Sequence, residues 1–286
     1  MESLNSTNLT YVAELRHIQS IHEPTALRNP DTLVGHFLPA LRRWRLAWIN
    51  QRKLTRLRSD PFYYYLLART RHYDQIFLDA ISRNVQCIIN VGCGSDTRSY
   101  RFENLLRGKG VKVLECDQLE AISERQKMAV RLGHLDHVLY LAIDLNQSGW
   151  PNFEHFLQTH RMQSALIMME GVSPFINVDA FTLFLEFLAR RLPGGSHLAY
   201  DFKLRGIKDE FGRVGKTLTP FRLPPVVEEV SVFHEKLGYR LCHMDLSAEL
   251  TARTLGGMLA AEAPLFEEDG LVQLEVLRGH MCSNPI

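Results

Sequence analysis

The chain has 286 residues, of which 45% are hydrophobic, and its 33 Lys and Arg against 32 Asp and Glu give a formal net charge of +1. That length and apolar content suffice for one large α/β domain with additions, while the balanced charge excludes a global field that would recruit nucleic acid or an anionic membrane. Five cysteines, at positions 87, 93, 116, 242 and 282, form no C-x-x-C pair and show no histidine ligand spacing, so neither a disulfide framework nor a metal site is indicated.

The first ten residues are polar, and no run approaches the ~20 apolar residues that span a bilayer, so a cytoplasmic protein is expected. Residues 1–84 show helical periodicity without a strand and read as an N-terminal helical cap. Within it Arg42, Arg43, Arg45, Arg52, Lys53, Arg56 and Arg58 crowd together. An RNA-facing surface is one reading. The preferred one is the solvated side of an amphipathic helix, with Leu41, Trp44, Trp48 and Leu57 recurring at roughly helical spacing.

Residues 85–286 alternate short apolar runs with longer amphipathic stretches, the pattern of βα units. Strands are predicted at Gln86–Asn90, Val111–Cys116, Val138–Ile143, Ala165–Met169 and His197–Phe202, with helices at Arg98–Arg107, Leu119–Leu132, Asn152–Arg161 and Val178–Arg191 between them. A Gly-, Pro- and Lys-containing insertion, 204–225, reads as a mobile loop or lid. A helix at Val226–Leu237 and strands at Tyr239–Met244 and Leu271–Arg278 complete the pattern. The expected fold is α/β: a Rossmann-like, seven-stranded, mostly parallel sheet with helices on both faces, the cap and core forming one unit.

Chemistry concentrates at the strand ends. The turn Asn90-Val91-Gly92-Cys93-Gly94 follows the first strand, and Asp117, next to Gln118, closes the second about twenty residues later, where an acid can take both ribose hydroxyls of a nucleotide. Thr97 occupies the position where a dinucleotide fingerprint needs its third glycine, which disfavours a nicotinamide cofactor. Asp144 and Leu145 end the third strand, and Glu170 and Gly171 the fourth. Ligands of open α/β sheets bind outside the carboxyl ends of the strands, so these residues are expected to share one crevice.

The segments Arg69-Thr70-Arg71-x-x-Asp74, Asn90 to Arg98, Cys116-Asp117, Asp144-Leu145 and Glu170-Gly171 together resemble the leucine carboxyl methyltransferase family over about residues 69–202. The resemblance implies S-adenosylmethionine as cofactor and S-adenosylhomocysteine as product, without a metal. It also implies Arg69 on the carboxylate of the methionine part, Gly92, Cys93 and Gly94 beneath it, and Asp117 with Gln118 at the ribose. Asp144 and Leu145 would meet the adenine, and Glu170 with Gly171 the amino group. The family usually has a small residue at the place of Cys93, and a run ending in tyrosine where Phe175 stands, so a different acceptor is expected here.

Methyl transfer is an in-line displacement that depends on geometry first; an alcohol or phenol acceptor also benefits from a base, whereas a carboxylate does not. Asp201 is the preferred candidate base and His72 the second. Tyr63 and Tyr64, from a run of four aromatics, and Phe175, Phe221 and Arg222 are the candidate acceptor pocket, on the ground that consecutive aromatics cannot all face one side of a helix. The reading is an O-methyltransferase acting on a hydroxyl or carboxylate of a small polyketide or peptide natural product, monomeric or homodimeric, with no nucleic-acid or membrane partner. A protein C-terminal leucine carboxyl methyltransferase and a non-catalytic cofactor-binding scaffold are the alternatives.

Overall fold

In the computed structural model, which describes residues 2–147, 149–206 and 219–277, the apolar runs form strands because both of their faces are covered. Strand β1 (Cys87–Val91) and β4 (Ala165–Met169) are buried at every position, as central parallel strands are. With β2 (Lys112–Asp117), β3 (Val138–Ala142), β5 (His197–Leu204), β6 (Arg222–Leu223), β7 (Tyr239–Leu246) and β8 (Asp269–Val276) they make one eight-stranded sheet. Its order is β3-β2-β1-β4-β5-β8-β7, with β6 paired to β5 off that path. Only β8 runs antiparallel to its neighbours.

Seven strands fall where the sequence predicts them. The eighth, β6, lies inside the predicted lid; two residues are too few for any alternation to register. Residues 207–218 of that lid and the last residue of the predicted final strand lie outside the described residues.

Alternate residues of each strand feed two separate cores. On one face Ile88, Val113, Leu166, Met168 and Ala199 pack with residues from the cap. On the other, Ile89, Leu114, Ile167 and Leu198 meet α8 (Pro151–His160) and α9 (Val178–Arg191). Phe181, Phe184, Leu185 and Leu188 of α9 follow an i, i+3, i+4, i+7 spacing and are fully buried, each worth about 1.5–3 kcal/mol of burial.

The cap comprises α1 (Glu2–His22), α2 (Ala40–Ala47), α3 (Gln51–Arg58) and α4 (Pro61–Ser82). Asp60 accepts from the Phe62 N–H at 3.0 Å and Pro61 fills the first turn, so α4 starts sharply. It is buried on nearly every side, between the other cap helices and the sheet. The aromatic run therefore splits between two interfaces instead of reaching solvent. Tyr63 turns to Glu23 of the cap at 2.8 Å, and Tyr65 stacks on Phe266 at 4.8 Å beside β8.

The predicted helix Arg98–Arg107 is two, α5 (Arg98–Arg101) and α6 (Glu103–Lys109), broken at Phe102. The remaining helices are α7 (Leu119–Leu132), α10 (Val227–Lys236) and α11 (Ser247–Leu255), the last unpredicted. Among the described residues no helix is long and apolar enough to cross a membrane. One expectation about the cap is reversed. Leu41, Trp44 and Trp48 are exposed, and α2 buries Leu46 instead.

Candidate functional site

The strand order changes direction between β1 and β4, and the carboxyl ends of β1 to β5 converge on that switch point. Gly92 there has φ +70°, and a Cβ would collide with Val172 Cγ2, so both backbone and space demand glycine. The Gly92 and Cys93 N–H groups donate to the Cys116 carbonyl at 2.7 and 3.0 Å, fastening the turn to β2. Gly94 N–H donates to Asp117 Oδ2 at 2.8 Å, and the Gln118 N–H to Asp117 Oδ1 at 2.8 Å. Burial pushes the Asp117 carboxyl above its usual range, and these two N–H donors only partly offset it. Burial likewise raises the Cys93 thiol, which makes it a poor nucleophile.

Beyond β3, Asp144 accepts from the Asn146 N–H and from Gln147 Nε2, each at 3.0 Å, and Leu145 is buried in the core. Asn146 Nδ2 donates to the Phe175 carbonyl at 3.2 Å, and the Asn177 N–H to Asn146 Oδ1 at 2.9 Å, so the β3 end is tied to the turn after β4. Phe175 itself is half-buried on that turn.

Behind this shallow rim lies a buried network of opposite charges. From α4, Arg69 Nη1 reaches Asp201 Oδ2 at 3.1 Å, and Tyr73 donates its hydroxyl to Asp201 Oδ1 at 3.2 Å. The Gly171 N–H donates to the same oxygen at 2.6 Å. Glu170 faces three guanidiniums: Arg16 of α1, Arg98 Nη1 at 2.9 Å, and Arg69 Nε at 3.3 Å. Arg98 also holds Asp74 at 2.7 Å and Asp96 at 2.6 Å, while Arg101 grips both oxygens of Asp74 at 2.6 and 2.7 Å. Asp31 takes the Thr97 hydroxyl at 2.5 Å and faces Arg16. Burial alone would raise Glu170, yet Arg16, Arg98 and Arg69 together hold it down, at about 2. Asp96 is depressed in the same way, Arg98 opposing its burial.

The five segments thus form one continuous surface: Arg69 against Glu170 and Gly171, Val172 against Gly92, Gly94 on Asp117, and Asn146 linking Asp144's loop to Phe175. The proposed acceptor-pocket residues separate. Tyr63, with Tyr64 edge-on at 5.3 Å, belongs to the cap core, and Phe221 is buried against Phe181 at 4.6 Å. Tyr63 is a core side chain because its helix is covered from either side, and Phe221, just before β6, is buried as well. Arg222 sits on β6 and reaches the Leu204 carbonyl at 3.5 Å. His72 lies on α4 with the Tyr73 ring 5.9 Å away, and burial lowers it to about 4 despite the opposing charge of Asp245.

Arg16 and Asp31 carry charge at the site and escape the sequence reading. Asp74, Asp96 and Arg98 stand in the quoted motifs but receive no role there; the missing signal is that they are buried against one another.

The sequence model described as leucine carboxyl methyltransferase matches residues 10–189. A candidate S-adenosyl-L-methionine-dependent methyltransferase of Mycolicibacterium gilvum (strain PYR-GCK) is 28% identical over 138 residues, 48% of this chain and 44% of that protein. Another candidate, from Streptomyces coelicolor, is 23% identical over 206 residues and 70% of either chain. The chain spans about half the length of the first curated relatives it matches. The crystal structure of a candidate methyltransferase from Thermobifida fusca YX superposes with a TM-score of 0.57 at 11% identity, covering 97% of this chain and 100% of that one, and so has the same fold. With the motifs of residues 69–171 converging on one edge of such a sheet, and the family match extending over residues 10–189, this chain belongs to the leucine carboxyl methyltransferase family.

Proposed function

We propose that the chain is an S-adenosylmethionine-dependent O-methyltransferase, and that its acceptor is a carboxylate on a small natural product of the polyketide or peptide kind. The carrying observation is the Gly94 N–H on Asp117 Oδ2, which locks a glycine turn without side chains against an acid at the switch point. Such a pairing leaves a smooth floor for a nucleoside and lone pairs on Asp117 for its ribose.

The other residues fit the group as well. Arg69 Nε faces Glu170 at 3.3 Å without hydrogen-bond geometry and Nη1 is bonded to Asp201, so the guanidinium, with five N–H donors, can still offer one to a ligand carboxylate. Asp144 stands where an adenine amine can donate to it. When bound, S-adenosylmethionine supplies an electrophilic methyl carbon on a sulfonium and leaves as S-adenosylhomocysteine. The chain's own contribution is to orient that group and exclude water. Asp201 contributes by holding Arg69, Tyr73 and the Gly171 N–H in place, which makes it a positioning residue. Glu170, surrounded by three arginines, acts as their counter-charge rather than as a receptor for the amino group.

These occupancies bear on the acceptor. The Asp201 oxygens are engaged, and His72, lowered to about 4, is a weak proton acceptor. A carboxylate is already ionised at neutral pH and needs neither. Calorimetric titration with S-adenosylhomocysteine tests the cofactor reading: a saturable heat is expected, and no heat or thermal shift at millimolar ligand would overturn it. Radiolabel transfer to a panel of carboxylic acids, phenols and peptides ending in leucine tests the acceptor, with the small acids expected to be labelled first.

A further inference from the structure

The balanced net charge of the chain conceals a local imbalance. Residues 40–58 contain seven Lys and Arg and no Asp or Glu, by the residues at Arg42, Arg43, Arg45, Arg52, Lys53, Arg56 and Arg58. Two of these are paired with acids, Arg42 with Glu14 at 2.5 Å and Arg58 with Glu23 at 2.9 Å. Arg45, Arg52, Lys53 and Arg56 are exposed.

Helix geometry arranges apolar side chains among them. α2 buries only Leu46 and α3 only Leu54. At about 100° per residue, Leu41, Trp44 and Trp48 fall in one narrow arc on the side opposite Leu46, and Arg52 and Arg56 fall opposite Leu54. Their exposures are 61%, 62% and 76% for Leu41, Trp44 and Trp48, so the stripe stands off the surface instead of lying in it. On α3, Arg52, Lys53, Arg56 and Leu57 line a groove of about 660 Å³ together with Tyr11 and Asp60.

Leaving two tryptophans and a leucine in water is unfavourable unless something covers them. A second copy of the chain would set this cationic face against itself, so the occupant has to be anionic. A nucleic acid strand would call for aromatic rings lying flat as stacking platforms. A projecting Leu-Trp-Trp ridge flanked by cations instead suits the boundary of a lipid bilayer, where indoles lodge at headgroup depth and guanidiniums meet phosphates.

We propose that α2 and α3 form a docking face for an anionic lipid surface, entered by Leu41, Trp44 and Trp48 and held electrostatically by Arg45, Arg52, Lys53 and Arg56. The face lies in the cap and uses none of the residues assigned to the cofactor, so it stands or falls independently of the proposed reaction.

The test is co-sedimentation of the full chain with mixed phosphatidylcholine and phosphatidylglycerol vesicles, against pure phosphatidylcholine. Binding is expected only to the mixed vesicles, with release at high salt because the contacts are screened. Trp44→Ala with Trp48→Ala should abolish it. Arg52→Gln with Lys53→Gln should weaken partitioning by about five-fold per cation removed. Both double variants should keep the parent's circular dichroism spectrum and urea midpoint, which shows that they are folded. The proposal is overturned by failure to bind the mixed vesicles at low salt, by equal binding to neutral ones, by variants that bind undiminished, or by tighter binding to a structured RNA than to the vesicles.

Discussion

The acids gathered around the crevice serve two opposite physical ends. At the rim, Asp117 and Asp144 accept from backbone N–H groups and neighbouring loop side chains, and both are only half-buried. Deeper in, Asp74, Asp96, Glu170 and Asp201 are matched to arginines drawn from α1, α4 and α5. On the proposed reading the rim keeps lone pairs for a ligand, while the deep layer spends them on the protein itself. Identical residue types within one neighbourhood would then divide between binding and scaffolding according to what faces them.

The sharpest way to break this comparison is to remove the hub of the deep layer. Arg98 is 1% exposed and holds Asp74, Asp96 and Glu170. Arg98→Ala would leave the buried Asp96 without its arginine and take one guanidinium from Asp74 and Glu170, which keep Arg101 and Arg16 with Arg69, and a loss of about 3–5 kcal/mol is expected in urea unfolding. A loss below about 1 kcal/mol would show the network to be ornamental. Next comes Asp117→Ala at the rim. Its unfolding midpoint should move little, since only two N–H contacts are released, while affinity for S-adenosylhomocysteine falls by about 100-fold with the loss of hydrogen bonds to a charged acceptor. The reverse pattern, stability lost and affinity kept, would place Asp117 with the scaffold.

The rim was legible in the sequence, while of the deep layer Arg69, Glu170 and Asp201 were named but not the partners that hold them, for a physical reason. Gly92, Gly94, Asp117 and Asp144 follow apolar runs directly, so each is positioned by its own strand and a local pattern suffices. Arg16 meets Glu170 across 154 positions, and nothing in α1 separates that arginine from a solvated one until the helices pack. The same blindness reversed α2. Leu41, Trp44 and Trp48 have the spacing of a core face, but the α2 residue that packs inward is Leu46, and periodicity carries no information about which face meets the protein. α11 and β6 were missed because one follows β7 without a break and the other is two residues long.

Acid titration sharpens the comparison through opposite signs. Glu170 is held at about 2, below its ordinary 4.5, so its charge stabilises the fold above about pH 5 and that contribution disappears as pH falls toward 2. Glu170→Gln should therefore lower stability at pH 7 and flatten the acid limb of the stability profile. Asp117 is raised, so its ionisation at neutral pH opposes folding; its favourable balance is present below pH 4 and is lost as pH climbs through the raised value. Asp117→Asn should be neutral or mildly stabilising at pH 7. Urea midpoints from pH 3 to 8 distinguish the two, and parallel profiles would contradict the division between rim and deep layer.

The smallest expected effect belongs to His72, and it tests whether the proposed acceptor is a carboxylate or a hydroxyl. A general base typically contributes about 100-fold or more, and does so best with a pKa near the working pH. Burial lowers His72 to about 4, which leaves it neutral but weakly basic at pH 7. If the acceptor is a carboxylate, His72→Ala should change kcat by less than about ten-fold and leave kcat/KM flat between pH 6 and 8. A phenol or alcohol acceptor depends on proton removal. It would show a larger fall in kcat and a rising limb that disappears in the variant, and that result would move the acceptor from carboxylate to hydroxyl while leaving the cofactor crevice as described.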